Sequence, residues 1–307
     1  MTVIYLEIGG YSIRLLEQND RPVFNWPLRH FETFEKPSQD SDIDCQVLVT
    51  GKLPKASDNK TIYDSQEGLW KLSETDTGYC LKTIRPFNLK PYTVSMISKD
   101  FSTVTIWVTP LRKKGFSRAG WDPSTIINPV IEFCLLTRLA RDGGVLMHAA
   151  AALSNESALV FTGPSGAGKS TLSDCYKANG NPVLSDERII IRSLGGHFHV
   201  WGTPWSGTSF YADNQDGPLR EMHFIRHGSE EHRCRPLSAA EMNRLFLQQC
   251  FLPQWDRKGM DRTLRFLDEL APGVPCFESA LIKDPQVVDF LETHGSGQQS
   301  DLLTAAT

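Results

Sequence analysis

None of the seven cysteines in this 307-residue chain, at positions 45, 80, 134, 175, 234, 250 and 276, belongs to a C-x-x-C pair. Scattered in this way they build neither a disulfide framework nor a zinc site, and the plain reading is buried thiols in a reducing compartment. The eight histidines offer no metal set either: His197 and His199 alternate on an expected strand, with nothing nearby to complete the ligands. No sign of charge dominates. A net charge of -4 gives no broad field for nucleic acid or an anionic membrane, so neither is expected as a partner. The local run Arg112-Lys113-Lys114 reads as a solvated linker. No apolar run approaches the ~20 residues of a membrane-spanning helix. Met1-Thr2-Val3-Ile4-Tyr5-Leu6-Glu7 lacks the basic region and apolar core of a signal peptide. It reads as a first strand, and the expected location is the cytoplasm. No internal repeat is found.

What remains is an ordinary globular composition, 40% hydrophobic and 22% charged, with length for one large domain or two smaller ones. Residues 1–115 read as a β-rich module. Its strands are expected at Tyr11–Leu16, Cys45–Val49, Tyr92–Ile97 and Val104–Val108, with polar loops at Lys36–Asp44 and Lys55–Asn59. It carries no catalytic constellation, so a role as scaffold or in substrate recognition is the default. A second domain is expected over 120–295 and a disordered tail over 296–307. Asp122-Pro123-Ser124 opens a helix, with Ile126, Ile127, Val130, Ile131, Leu135 and Leu139 at helical spacing and Asp142-Gly143-Gly144 ending it. Strands follow at Val145–Ala149 and Ala158–Phe161, then a helix over Thr171–Asn179 stopped by Gly180. Ser238-Ala239-Ala240-Glu241 is a capping box for a helix through about Phe251, and Asp284-Pro285 opens a last helix closed by His294-Gly295.

The strongest signal is Gly163-Pro164-Ser165-Gly166-Ala167-Gly168-Lys169-Ser170-Thr171. It fits the phosphate-loop pattern G-x-x-x-x-G-K-[ST] between a strand and a helix. Its glycines let successive N–H groups turn inward on phosphate oxygens, and the helix N-terminus adds partial positive charge. Lys169 supplies a full charge toward the β- and γ-phosphates, and Ser170 is placed for Mg²⁺. The chain is expected to bind ATP or GTP.

Asp186-Glu187 begins fifteen residues after Thr171, after one helix and one short strand. In a phosphate-loop fold that strand can lie beside the loop's own strand, bringing its C-terminal end to the γ-phosphate. One carboxylate there can hold the metal while the other takes a proton from an attacking hydroxyl. His148 is either a core histidine at a strand end or a donor to phosphate. Gly202-Thr203-Pro204-Trp205-Ser206-Gly207 is either an ordinary turn or, through Trp205, part of a base or peptide pocket. Arg257, Lys258 and Arg262 read as a solvated helical face.

His148, the phosphate loop, and Gly180-Asn181-Pro182-Val183-Leu184-Ser185-Asp186-Glu187-Arg188-Ile189 together resemble the catalytic domain of HPr kinase/phosphorylase. That family shares its nucleotide-binding core with phosphoenolpyruvate carboxykinase. The resemblance runs over roughly Val145 to Leu291 and is specific around the loop and the acidic turn. It implies an α/β fold with a phosphate-loop, HPr-kinase/carboxykinase-like core behind the β-rich N-terminal domain. It further implies Asp186 as the base that deprotonates an acceptor serine, Glu187 as the second acid at Mg²⁺, and His148 near the phosphates. The E-[IV]-R-G-L-G-like segment of the bifunctional enzymes is missing, which argues against HPr as substrate and against the phosphorylase reaction. Gly217–Ile225 and the Ser238 helix resemble the HPr-kinase-related branch, which includes kinases of lasso-peptide precursors.

The expected activity is therefore a cytosolic Mg·ATP-dependent kinase acting on a serine of a small protein or ribosomally made peptide, with homo-oligomerisation left open. The alternatives are a small-molecule kinase on the same core, or a nucleotide-gated binding module with little turnover.

Overall fold

A computed structural model describes residues 1–307 except 38–39, 56–59, 66–67, 87, 227–230, 283 and 294–307. The expected tail, the closing His294-Gly295 and part of each expected loop at Lys36–Asp44 and Lys55–Asn59 lie outside the described residues. The chain forms two compact units, Met1–Asp142 with Pro253–Met260, and Gly143–Leu252 with Asp261–Thr307. Among the described residues no helix is long and apolar enough to cross a membrane.

The first unit is built on a single eight-stranded sheet. Its strands are β1 (Thr2–Ile8), β2 (Tyr11–Glu17), β3 (Ile43–Val49) and β4 (Thr61–Asp64). They continue with β5 (Trp70–Thr75), β6 (Gly78–Ile84), β7 (Pro91–Ser98) and β8 (Thr103–Val108). The order is β1-β2-β3-β8-β7-β6-β5-β4, antiparallel except where β3 lies parallel to both β2 and β8. The cause is period-two patterning: Tyr11, Ile13 and Leu15 alternate inward on β2, and Ile43, Cys45 and Val47 do so on β3.

The expected helix is present with an interruption. α1 (Ser124–Ile126) passes through a π-turn at Ile127–Ile131 into α2 (Glu132–Asp142). Asn128 is extended there (φ -121, ψ 111), as the residue before a proline tends to be. Sequence sets this segment at the start of the second domain, from residue 120; in the structure it lies in the compact unit that runs to Asp142. Tyr11 Oη donates to Asp142 Oδ2 at 2.8 Å, Arg141 Nη1 donates to the Lys99 carbonyl at 2.8 Å, and Arg138 donates to the Asp42 carbonyl. Arg141 also forks onto Asp256 at 2.6 and 3.1 Å, which ties Pro253–Met260 into the same unit. These bonds, and the packing of Phe133 against Trp70, Phe101 and Trp255, join the helix to partners remote in sequence that periodicity does not show.

The second unit begins with β9 (Gly144–Ser154) and β10 (Ser157–Thr162), an antiparallel hairpin. Its two turn residues, Asn155 and Glu156, have φ of 49° and 62°. α3 (Lys169–Ala178), β11 (Val183–Ser185), β12 (Arg188–Leu194) and β13 (His197–Trp201) follow. The long β14 (Asp216–Arg226), β15 (Arg233–Pro236), α4 (Ala239–Gln249), α5 (Arg257–Gly273, in this unit from Asp261) and β16 (Cys276–Ala280) come next, and residues 286–293 are helical.

Two strands serve twice. β9 pairs with β12 through Gly144–His148 and with β10 and β11 further along. β14 pairs with β13 at its start and then, in parallel, with β10 and β16. The sheet through β10 separates two cores. Ala149, Ala151 and Val160 face one core with Phe246, Phe266 and Leu270, whereas Ala150, Ala152 and Phe161 face the other with Leu172, Tyr176 and Val288. Helices thus cover both faces of a mixed sheet, a layered α/β arrangement.

Candidate active site

Thr162 ends β10 and Gly163 begins the loop. Gly163 has φ +143°, and a Cβ there would lie 2.9 Å from the Ile225 carbonyl oxygen on the neighbouring β14. Only glycine meets both demands. Gly166 and Gly168 also have positive φ, 78° and 111°, and α3 starts at Lys169. Pro164, Ser165 and Gly166 form the exposed crown, while Ala167 is tucked into the core beside α3. The loop therefore delivers the free amides of a helix N-terminus to an open edge. Ser170 and Thr171 follow in the first turn, both half-buried.

Lys169 is only 6% exposed. Its ammonium folds back on the loop, donating to the Gly163 carbonyl at 2.9 Å and the Pro164 carbonyl at 3.3 Å. Burial pushes its pKa down, and the nearby Glu187 carboxylate opposes that shift.

The strand carrying the acids does not adjoin β10 as expected. β9 stands between them, antiparallel to both β10 and β11. The physical reason is the two-residue turn at Asn155-Glu156, which forces β9 back along β10. Since β10 and β11 both oppose β9, they run the same way, and both end at one edge of the sheet. Asp186 and Glu187 thus emerge on the same side as the Gly163–Gly168 loop.

The two acids have different surroundings. Asp186 is 1% exposed; its Oδ1 accepts the Gly207 N–H and its Oδ2 the Ser209 N–H, each at 2.8 Å. Glu187 is more open. Its Oε1 lies 3.3 Å from His148 Nδ1, and its own carbonyl accepts the Ala149 N–H at 3.1 Å. Ser185 Oγ shapes the turn by accepting the N–H groups of both Glu187 and Arg188 at 3.2 Å.

His148 sits on β9 where β10 leaves for the loop, and Thr162 Oγ1 donates to its carbonyl at 2.9 Å. Burial lowers its pKa first, Lys169 lowers it further, and Glu187 pulls it back up. Lys169, His148 and Glu187 therefore form one electrostatic cluster. The charge that opposes burial at Lys169 is that of Glu187.

Residues 202–213 form the other wall. A Cβ on Gly202 would meet the Asp213 and Leu184 carbonyl oxygens at 1.9 and 2.5 Å, so the chain crosses β11 in backbone contact. Asp213 N–H donates to the Leu184 carbonyl at 3.0 Å, and Ser185 bridges Ala212. Trp205, a candidate pocket wall from sequence, is 6% exposed and buried. Sequence marks Gly207 only as the end of the Gly202–Gly207 turn, not as a partner of Asp186, and does not mark Ser209 or Tyr211. Nothing local marks the partnership, because Asp186 is 21 and 23 residues away from Gly207 and Ser209.

No cluster of three or more His, Cys, Asp or Glu side chains able to hold a metal occurs among the described residues. Magnesium bound with a nucleotide needs no such cage. It takes one or two protein oxygens and fills its shell with phosphate oxygens and water. The Ser170 hydroxyl and Glu187 carboxylate are hard oxygen donors of that kind, and they fit.

No family model matches the chain, and neither does any curated protein. Among solved structures, the chain is similar to the Hpr(Ser) kinase/phosphatase from Coxiella burnetii, with 9% identity and a TM-score of 0.32. The likeness covers 52% of this chain and 96% of that one. A likeness of that size decides nothing about activity.

Proposed function

We propose that the second unit binds Mg·ATP and transfers its γ-phosphate to a serine hydroxyl of a small protein or ribosomally made peptide. One observation carries the reading: a glycine-strained loop opening α3 shares a sheet edge with Asp186 and Glu187, and a buried Lys169 lies within the field of Glu187. The motif resemblance over Val145–Leu291 agrees with it.

In this reading the loop amides and Lys169 neutralise the phosphates. To do so, the Lys169 ammonium leaves the Gly163 and Pro164 carbonyls and turns to phosphate oxygens. Ser170 and Glu187 would hold Mg²⁺, which supplies positive charge to the β- and γ-phosphate oxygens. The acceptor oxygen attacks the γ-phosphorus in line, the bond to the β–γ bridging oxygen breaks, and ADP leaves. Asp186 takes the hydroxyl proton, its carboxylate aimed by the Gly207 and Ser209 amides. Each of its oxygens keeps a second lone pair for that role. Because the carboxylate is 1% exposed, the acceptor hydroxyl reaches it by a local opening at the Gly207 and Ser209 amides, while the far anchor at Ala212 and Asp213 keeps the segment in place.

The test is transfer from Mg·[γ-³²P]ATP to candidate serine peptides, read as a peptide mass gain of one phosphate. Lys169→Met should weaken ATP binding about 10–100-fold, the scale of a lost charge-assisted contact. ATP binding equal in the variant and the parent would overturn the nucleotide assignment. Label appearing on a metabolite and on no peptide would move the reading to a small-molecule kinase.

A further inference from the structure

The segment Gly207–Asp213 is clamped at both ends to the acidic turn. At its start Gly207 and Ser209 donate their amides to Asp186, and at its end Ala212 bridges Ser185 while Asp213 N–H donates to the Leu184 carbonyl. The Phe210 N–H donates to the Gly207 carbonyl at 3.3 Å, closing a turn around the carboxylate. Tyr211 folds back and packs, partly buried, against the core beside α3.

Phe210 does the opposite. It is 72% exposed, and its φ of +56° is a left-handed conformation that bulky side chains rarely adopt. A scattered surface phenylalanine calls for no explanation. This one is held outward, against its own backbone preference, by clamps on both sides, and strain of that kind collects at ligand-binding positions. It also directly follows Ser209, whose amide holds Asp186.

We infer that Phe210 is the acceptor-docking residue: it receives an apolar side chain next to the serine hydroxyl of a polypeptide substrate. This rests on the phosphotransfer reading. A triphosphate on the loop places its terminal phosphate toward the acids and its nucleoside at the far end. A ring carried by the turn whose amides hold Asp186 thus stands on the acceptor side, away from the nucleobase. The neighbouring acids disfavour a carboxylate on the acceptor and leave an apolar neighbour as the match for an exposed ring.

The experiment measures initial rates with Mg·ATP and short serine peptides identical except for Phe, Ala or Glu beside the serine. The expected result is a KM about tenfold lower for the Phe peptide than for the Ala peptide, the scale of one buried aromatic contact. The Glu peptide should be poorer still. Phe210→Ala should erase the preference by raising KM for the Phe peptide while KM for ATP holds, and Phe210→Leu should restore most of it. Equal KM values across the peptides, or a Phe210→Ala effect on KM for ATP instead, would overturn the inference and leave phosphotransfer standing. No transfer to any peptide by the parent protein would remove the peptide-kinase reading and this inference together.

Discussion

His148 Nδ1 stands 3.3 Å from Glu187 Oε1, although the ladder between β9 and β12 pairs His148 with Arg188. The contact is diagonal, made when Glu187 leaves the end of β11 and its backbone carbonyl is caught by the Ala149 amide. It joins the strand end that carries His148 to the acidic turn, and the Glu187 charge acts on both His148 and the buried Lys169.

That arrangement predicts how the ring titrates. Burial and Lys169 hold the His148 pKa below its ordinary 6.5, with Glu187 opposing them. Glu187→Gln removes the one charge that favours the imidazolium, so the His148 pKa should fall further. NMR titration of the ring Cε1–H in the nucleotide-free protein reads this directly. A higher pKa in the variant would mean that Glu187 does not face the ring in solution.

Asp186→Asn tests the acid that holds the loop. An asparagine offers one oxygen and one NH₂, and the NH₂ would confront either the Gly207 or the Ser209 N–H with a second donor. ATP affinity should stay within about threefold, since the phosphate loop is untouched, whereas turnover should fall ~10²–10⁴-fold with the loss of a positioned base. Amide exchange at 207–213 should rise in the same variant. Parent-level turnover in Asp186→Asn would remove the proton-accepting role, and unchanged exchange would remove the anchoring one.

These residues also show where sequence stops being informative. The turn from Gly163 into α3 is legible because its dihedral needs are local and written in glycine: Gly163, Gly166 and Gly168 all have positive φ, and the helix starts at Lys169. The Ser238–Glu241 box is legible for the same reason, its bonds spanning three residues. β9 is not: Ala149–Ala152 have weak strand propensity, so the strand is read as ending at Ala149 while it runs on to Ser154. With that continuation hidden, so are the hairpin at Asn155-Glu156 and the insertion of β9 between β10 and β11. The contacts of α2, through Arg138, Arg141, Asp142 and Phe133, are with partners remote in sequence. Local chemistry names the candidate residues; long-range pairing decides which of them meet.

The capping box supplies a pH test away from the site. Glu241 Oε2 accepts the Ser238 N–H and hydroxyl at 2.9 and 2.7 Å, and Oε1 accepts Arg235 Nη2 at 3.0 Å. The Arg235 guanidinium, followed by the Ser238 bonds, lowers the Glu241 pKa from 4.5 to about 2. A carboxylate depressed in the folded state contributes stability that is fully present above its unfolded pKa and is lost as pH falls through the folded one. The difference in urea midpoint between the parent and Glu241→Gln should therefore be largest near neutral pH and shrink between pH 4.5 and about 2. Comparing each pair at the same pH cancels the acid sensitivity they share. A gap that stays constant down to the lowest pH would show that α4 gains its stability from packing of Met242 and Phe246 alone, with the charged cap contributing nothing.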